Sequence, residues 1–366
     1  LRDDLLRLKA RHDARAGHGA VAAGALRWGE PVLDSRLTAI GPDGPRYRGL
    51  SAVELARGDV PFEAVAELLW TGAPPEGRPR WAATSLGAPP VRLVPLIAAD
   101  GAPLAPVQLL LAALSARVPA PGANAAEVVV SEARSILPRM AAALALPRGA
   151  AAARTALAAG SVAQIVAAAL GAPGADSVRL VERALVVSAD HELNASSFAA
   201  RLAASVGADV RACLLAASAT LTGSRHGGTT AQVEALVDEV RRPGLAAAAL
   251  RRRSARGEEI PGFGHPLYRS GDPRAPLLLE AAFAIAPREP RVRTLRAIID
   301  AASGLGLGAP TLDVGLVALA SALRLRTGAP LCLFAAGRAA GWVAHAIEQY
   351  EAGFMLRPRA RYVGPS

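Results

Sequence analysis

Apolar residues return at every third or fourth position along most of this chain, and short Pro/Gly clusters interrupt the rhythm before any run grows long. That spacing lays one apolar stripe on each helix and leaves few alternating stretches for a sheet. The segments AVELARGDVPFEAVAELLW (52–70), APVQLLLAALSARV (105–118) and AAEVVVSEARSILPRMAAALAL (125–146) carry it most clearly. Breaks fall at TGAPPEGRP (71–79), GAPP (87–90), PAPGA (119–123) and GAPGAD (171–176), lengths that suit helix–helix connections. Apolar residues make up 52% of the chain but aromatics only 4%, so packing rests on Ala, Leu and Val. Close-packed helices fit that composition better than an aromatic-rich β-sandwich.

With 366 residues, one large domain or two unequal ones can be filled. Only residues 1–50 read as extended, with a hairpin expected around the turn Gly41-Pro42-Asp43-Gly44. The stretch GAAAARTALAAGSVAQIVAAALG (149–171) contains Arg154, Ser161 and Gln164, so it reads as one buried core helix and not a membrane span. Charge concentrates after His226, at 231–259, and smooth apolar helices return beyond Asp313. These shifts predict a large helical domain over 51–227, a smaller and more mobile one over 228–324, and a return to the large domain over 325–366. The opening LRDDLLRLKARHDARAG has four charged residues among its first seven and does not read as a signal peptide. The chain begins with Leu, which leaves an N-terminal module ahead of residue 1 open.

The net charge is +10, and of 41 basic residues only Lys9 is lysine. Arginine binds carboxylates and phosphates bidentately, which suits polyanionic ligands; a compositional bias toward Arg and Ala explains the excess equally well. The run Arg251–Arg253 reads as a solvated helix end. Cys213 and Cys332 lie far apart in apolar helical context, as free thiols of a reducing compartment do.

Three of the six histidines, His191, His226 and His265, stand in short polar patches among Gly, Ala and Leu: DHELNAS, SRHGG and GFGHPLYRSGDPR. Histidine exchanges protons most readily near neutral pH, so this trio points to proton transfer or to an oxygen-rich acid. HELNA lacks a second His at the spacing a zinc-protease helix needs, and no metal site is expected. No βαβ pattern surrounds GFGH, which excludes a dinucleotide fingerprint. Plainer roles stand beside these. SRHGG places His226 as a helix C-cap, and Asp313 ahead of VGLVALASAL as an N-cap. His345 reads as a packed helix residue, and His12 and His18 as surface residues.

In order along the chain, RYRGLSAVELA, DHELNAS, HGG, GFGH…DPRA, a lone Asp, GRAAGWVAHAIEQ and RPRARYVG resemble the citrate synthase family over nearly the full length. The resemblance implies a mainly α, two-domain helical fold, a homodimer, and condensation of acetyl-CoA with oxaloacetate to citrate as in the tricarboxylic acid cycle. By position, it implies Asp313 as the base at the acetyl-CoA methyl group and His226 as the donor to the thioester oxygen. It likewise implies His265 as the acid at the oxaloacetate carbonyl. His191, Arg274 and Arg338 would hold the carboxylates, joined by Arg357 from a second subunit. Arg269 and Gly262 would meet the phosphates and adenine of CoA. No tightly bound cofactor is implied beyond the coenzyme A thioester as substrate, and a cytoplasmic enzyme is expected, with no membrane or nucleic-acid partner for this segment.

The chemistry demands such a set. A thioester α-carbon is weaker than an Asp carboxyl by roughly 16 units, a gap of about 20 kcal/mol. A carboxylate crosses it only if a fixed donor stabilises the enolate and the base is partly desolvated; Leu312, Val314 and Leu316 would supply that shielding. An enolate must also be kept from water, which is what a hinged small domain does. The chain departs from the family at Thr229-Thr230 after HGG, at HPLY in place of HRVY, and at Val314-Gly315 after the Asp. Two other readings stay open: 2-methylcitrate synthesis from propionyl-CoA, and a regulatory or DNA-associated protein on a synthase fold. The first differs by one methylene, worth about 1–3 kcal/mol.

Overall fold

The computed structural model describes residues 33–74, 77–87, 90–97, 101–116, 122–268, 270–357 and 364. His12, His18 and Arg269 fall outside them, as does most of the expected 1–50 segment. The chain is mainly α, with one small antiparallel sheet near its start. β1 (Thr38–Gly41) pairs with β2 (Gly44–Tyr47) in the register Thr38↔Tyr47 to Gly41↔Gly44, so the hairpin turns on Pro42-Asp43. A third strand, β3 (Leu50–Ser51), had no signal in the sequence beyond two residues that continue the register Arg46↔Ser51 and Tyr47↔Leu50.

Helices make up most of the described residues from Ala52 to Ala352. α1 (Ala52–Arg57) and α2 (Phe62–Thr71) divide the 52–70 stretch, because Pro61 lacks the N–H needed to continue α1 and instead opens α2. After α3 (Ala105–Ser115) and α4 (Ala126–Ala143), the expected core helix over 149–171 proves to be two, α5 (Ala150–Leu157) and α6 (Val162–Leu170). The reason lies in a capping box: Ser161 Oγ accepts the N–H of Gln164, and the Gln164 side chain accepts the N–H of Ser161. Ser and Gln three apart are a start signal that outweighs the unbroken alanine pattern. α7 (Ala175–Ser188), α8 (Ala195–Ser205) and α9 (Val210–Leu221) complete the first half. α10 (Thr229–Val240), α11 (Ala246–Ala255), α12 (Arg274–Ile285), α13 (Pro290–Gly304), α14 (Leu312–Ala322) and α15 (Ala329–Ala352) make up the rest.

Two hydrophobic cores result. The larger gathers side chains of α1 to α9 around α15, which is buried along most of its length. The smaller is built by α10, α11, α12, α13 and α14 through Val233, Leu236, Leu250, Leu295, Ile298 and Val317. α12 and α14 serve both cores, turning Leu277, Leu278, Leu316 and Leu319 to the large one and Leu279, Val314 and Val317 to the small one. The site lies at the N-terminal ends of these two helices. Cys213 and Cys332 are buried and free. No helix among the described residues is long and apolar enough to cross a membrane.

Candidate active site

The C-terminal end of α7 meets α15 at GRAAG. A Cβ on Gly337 would stand 2.6 Å from the carbonyl oxygen of Leu185, so only glycine lets the helices approach this closely. The contact fixes Arg338, whose Nε donates to the Ser188 carbonyl at 2.8 Å. The hairpin secures the same segment from the other side. Tyr47 donates its hydroxyl to the carbonyls of Val186 and Asp190, and Thr38 Oγ1 donates to Asp190 Oδ2 at 2.6 Å. His345 Nε2 lies 3.3 Å from Asp190 Oδ1, both residues fully buried. His191 is therefore the first residue past a segment clamped by α15, β1 and β2.

His226 sits in the turn between α9 and α10. It is not the C-cap of α9, which is Thr222; the N–H groups of His226 and Gly228 both fold back onto the Gly223 carbonyl and close a separate turn. His226 Nε2 is 2.8 Å from Ser196 Oγ. Ser196 is a fully buried junction: it accepts the indole N–H of Trp342 at 3.0 Å and stands 2.8 Å from Asn194 Oδ1. Asn194 is the N-cap of α8 and takes the N–H groups of Ser196 and Ser197. The Phe334 ring stands edge-on to His226 at 6.0 Å between centroids, and the Arg338 guanidinium lies 5.0 Å over the same ring.

The GFGH loop is joined to the residues ahead of α14 by a short antiparallel contact. Gly264 N–H donates to Ala309 O, and Thr311 N–H to Gly262 O, each at 2.9 Å. Gly262 has φ +85°, and a Cβ there would lie 2.6 Å from Val314 and 2.7 Å from Val233. It is buried, with its carbonyl already engaged. This pairing carries His265 to the start of α14, where Asp313 sits. Asp313 is not the N-cap either: Thr311 holds that position, and its Oγ1 donates to Asp313 Oδ2 at 3.0 Å. The N–H of Leu312 goes instead to Asp272 Oδ2 at 3.0 Å. Asp272 also takes Arg274 in a bidentate pair, Nε to Oδ1 at 2.8 Å and Nη2 to Oδ2 at 2.7 Å.

Charge is distributed unevenly over this region. Burial pushes the Asp313 carboxyl up to about 6, only partly offset by Thr311 and Arg274. Burial, then the Arg338 charge, brings His226 down to about 4. Burial and Arg274 lower His265, and burial with Arg274 and Arg338 holds His191 well below its ordinary value. All three imidazoles are neutral at pH 7. Burial works against Arg274, but the Asp272 carboxylate overrides it and keeps the guanidinium charged. Arg338 falls to about 10 through burial, with Asp190 opposing. Only its Nε has a hydrogen-bond partner among the described residues.

His191, His226 and Asp313 all feel Arg338, while His191, His265 and Asp313 all feel Arg274. The structure thus gathers His191, His226, His265, Arg274, Arg338 and Asp313 around two buried guanidiniums. Arg357 stands apart, exposed beyond the end of α15. Ser196, Tyr268, Asp272, Phe334 and Trp342 join the site without having been singled out in the sequence. The Asp of DPR was the one available signal, since an acid two residues before a buried Arg is placed to pair with it. The described residues contain no group of three or more His, Cys, Asp or Glu able to hold a metal ion.

A family model described as citrate synthase, C-terminal domain, matches residues 25–359. A putative citrate synthase 2 of Mycobacterium tuberculosis is 37% identical over 202 residues, 53% of this chain and 54% of that protein. A 2-methylcitrate synthase 1 of Corynebacterium glutamicum is 31% identical over 199 residues, 53% of this chain and 51% of that one. The chain spans about half the length of the curated relatives it matches. Its fold superimposes on Thermoplasma acidophilum citrate synthase, solved as a ternary complex with carboxymethyl coenzyme A and oxaloacetate, with a TM-score of 0.78. That match has 22% identity and covers 92% of this chain and 95% of the other.

Proposed function

Because this chain belongs to the citrate synthase family, we propose that it condenses acetyl-CoA with oxaloacetate and releases citrate and free CoA. The observation that carries the reading is the convergence of a carboxyl raised to about 6 and neutral imidazoles on two buried arginines. Asp313 takes a proton from the acetyl methyl group. Its raised basicity recovers about 3 kcal/mol of a gap of about 20 kcal/mol. The remainder falls to the donor at the thioester oxygen, a role that suits neutral His226. The enolate carbon then attacks the ketone carbon of oxaloacetate. His265 accepts the N–H of Leu267 at Nδ1, so its proton resides on Nε2 and can pass to the forming alkoxide. Water finally cleaves citryl-CoA to citrate and the free thiol.

Arg338 supplies two free guanidinium nitrogens for an oxaloacetate carboxylate, and His191 stands beside it. Arg274 enters as a fixed charge already paired with Asp272. Exposure of Arg357 beyond α15 supports its delivery to the site of a second subunit in a homodimer. The order of the family's motifs along the chain supports Gly262 and Arg269 as the residues that meet CoA. The small core over α10 to α14 supports a closing domain at 228–324, and the buried free thiols a cytoplasmic setting. Propionyl-CoA is the second reading, favoured by the 2-methylcitrate synthase among the relatives. A thiol-release assay with oxaloacetate and each thioester, on this chain and on Asp313→Ala, tests both. Release that depends on oxaloacetate and vanishes in the variant supports the reading; equal release by both proteins refutes it. The ratio of kcat/KM for the two thioesters names the acyl group.

A further inference from the structure

His265 and Tyr268 are the ends of one tight turn, in which the N–H of Tyr268 donates to the His265 carbonyl at 3.1 Å. Pro266 occupies the second position, where its fixed φ pre-forms the turn. The turn returns the phenol to the histidines: Tyr268 lies 4.8 Å from His265 and 5.6 Å from His191 between ring centroids. Its hydroxyl is 2.7 Å from His191 Nε2, and both side chains are buried.

A neutral imidazole has one N–H, and the partner of one ring nitrogen decides where it lies. The Tyr268 hydroxyl has no other acceptor for its proton among the described residues. We propose that Tyr268 is a positioning residue that donates its O–H to Nε2 of His191 and so holds the His191 proton on Nδ1. His191 is then left with Nδ1–H as its one donor, which an incoming carboxylate shares with the residue's own backbone carbonyl. The same turn sets His265 in the opposite sense, because the Leu267 N–H occupies Nδ1 there at 3.2 Å. Four consecutive residues thus fix two imidazoles in complementary tautomers. Burial, the main cause, keeps His191 neutral and raises the phenol to about 12, so the shared proton stays on oxygen. The identity of the carboxylate rests on the synthase reading; the tautomer does not.

Selective ¹⁵N labelling of the six histidines, with His191 assigned by loss of its signals in His191→Gln, reads the tautomer directly. The proposal expects a pyridine-type Nε2 and a pyrrole-type Nδ1 for His191 in the wild-type protein. Tyr268→Phe keeps the ring packing and removes the donor, so the His191 pattern should move toward a mixture of tautomers. In the thiol-release assay KM for oxaloacetate should rise about tenfold, with kcat changed less than about threefold. A pyrrole-type Nε2 in the wild type, or an unchanged His191 pattern in Tyr268→Phe, overturns the proposal. A wild-type chain that releases no thiol sinks the synthase reading, and the nitrogen shifts still decide the tautomer.

Discussion

The backbone N–H of Gly341 donates to the carbonyl oxygen of Ala189 at 2.9 Å, a hydrogen bond between α15 and the residue just past the end of α7. A Cβ on Gly341 would collide with that carbonyl and with the Asp190 carboxylate. Gly341→Ala is therefore expected to destabilise the protein by about 1–3 kcal/mol through overpacking. Since His191 and Arg338 are both held from this contact, KM for oxaloacetate should rise as well. Urea unfolding and steady-state kinetics read the two effects, and a wild-type urea midpoint would contradict the close-approach account.

Asp313 links activity to stability with opposite signs. Its folded pKa of about 6 exceeds the ordinary 3.8, so between these values the folded state binds more protons than the unfolded one. Stability from this group is consequently present at low pH and lost as pH rises toward and through 6. The base works only when ionised, so kcat/KM should fall as pH drops below about 6. Asp313→Asn should abolish turnover yet stabilise the fold by about 1–3 kcal/mol at pH 7.5, with the gain disappearing near pH 4. Thermal melts at both pH values decide it; a variant less stable than wild type at pH 7.5 would remove the burial argument.

Helical class and the hairpin were legible because they rest on local signals, a 3.6-residue rhythm and a Pro-Asp turn between β-prone pieces. The split at Ser161 was equally local but hidden under an alanine run that reads as helix throughout. What no spacing could show was the company each site residue keeps. Asp272 accepts the N–H of Leu312 at the start of α14, 40 positions away. Trp342 and Ser196 meet across 146 positions, and Tyr47 reaches Val186 across 139. The plainer capping roles that stand beside the catalytic ones for His226 and Asp313 fail for one reason. Their patterns mark helix ends correctly, but the cap itself goes to Thr222 and Thr311, leaving the histidine and the carboxyl to face the site.

Ser196 has one proton and two acceptors within 2.8 Å, Asn194 Oδ1 and His226 Nε2. Donation to His226 leaves that imidazole with Nδ1–H; donation to Asn194 leaves it with Nε2–H. Ser196→Ala removes the arbiter and also strands the Trp342 indole N–H. We expect kcat to fall about tenfold to a hundredfold with KM for oxaloacetate little changed, and stability to drop by about 1–3 kcal/mol. Adding Trp342→Phe should recover part of the stability and none of the rate. Recovery of rate in the double variant would show that Ser196 acts through packing alone.

Arg338 is fully buried, and among the described residues no carboxylate is bonded to its guanidinium: its one hydrogen bond there goes to the Ser188 carbonyl, and Asp190 is engaged by Thr38 and approached by His345. A buried charge so placed costs stability until an anion arrives. Two outcomes follow together. Oxaloacetate should raise Tm by several degrees in the wild type, in proportion to ln(1 + [L]/Kd). Arg338→Met should melt at or above the wild-type temperature without ligand, show no shift with oxaloacetate, and lose at least a hundredfold in kcat/KM. Arg338→Lys retains a charge but not the planar fork, and should keep only a fraction of the thermal shift. If Arg338→Met is instead strongly destabilised and still shifts with oxaloacetate, the guanidinium serves to tie α15 to α7 and the carboxylate binds elsewhere.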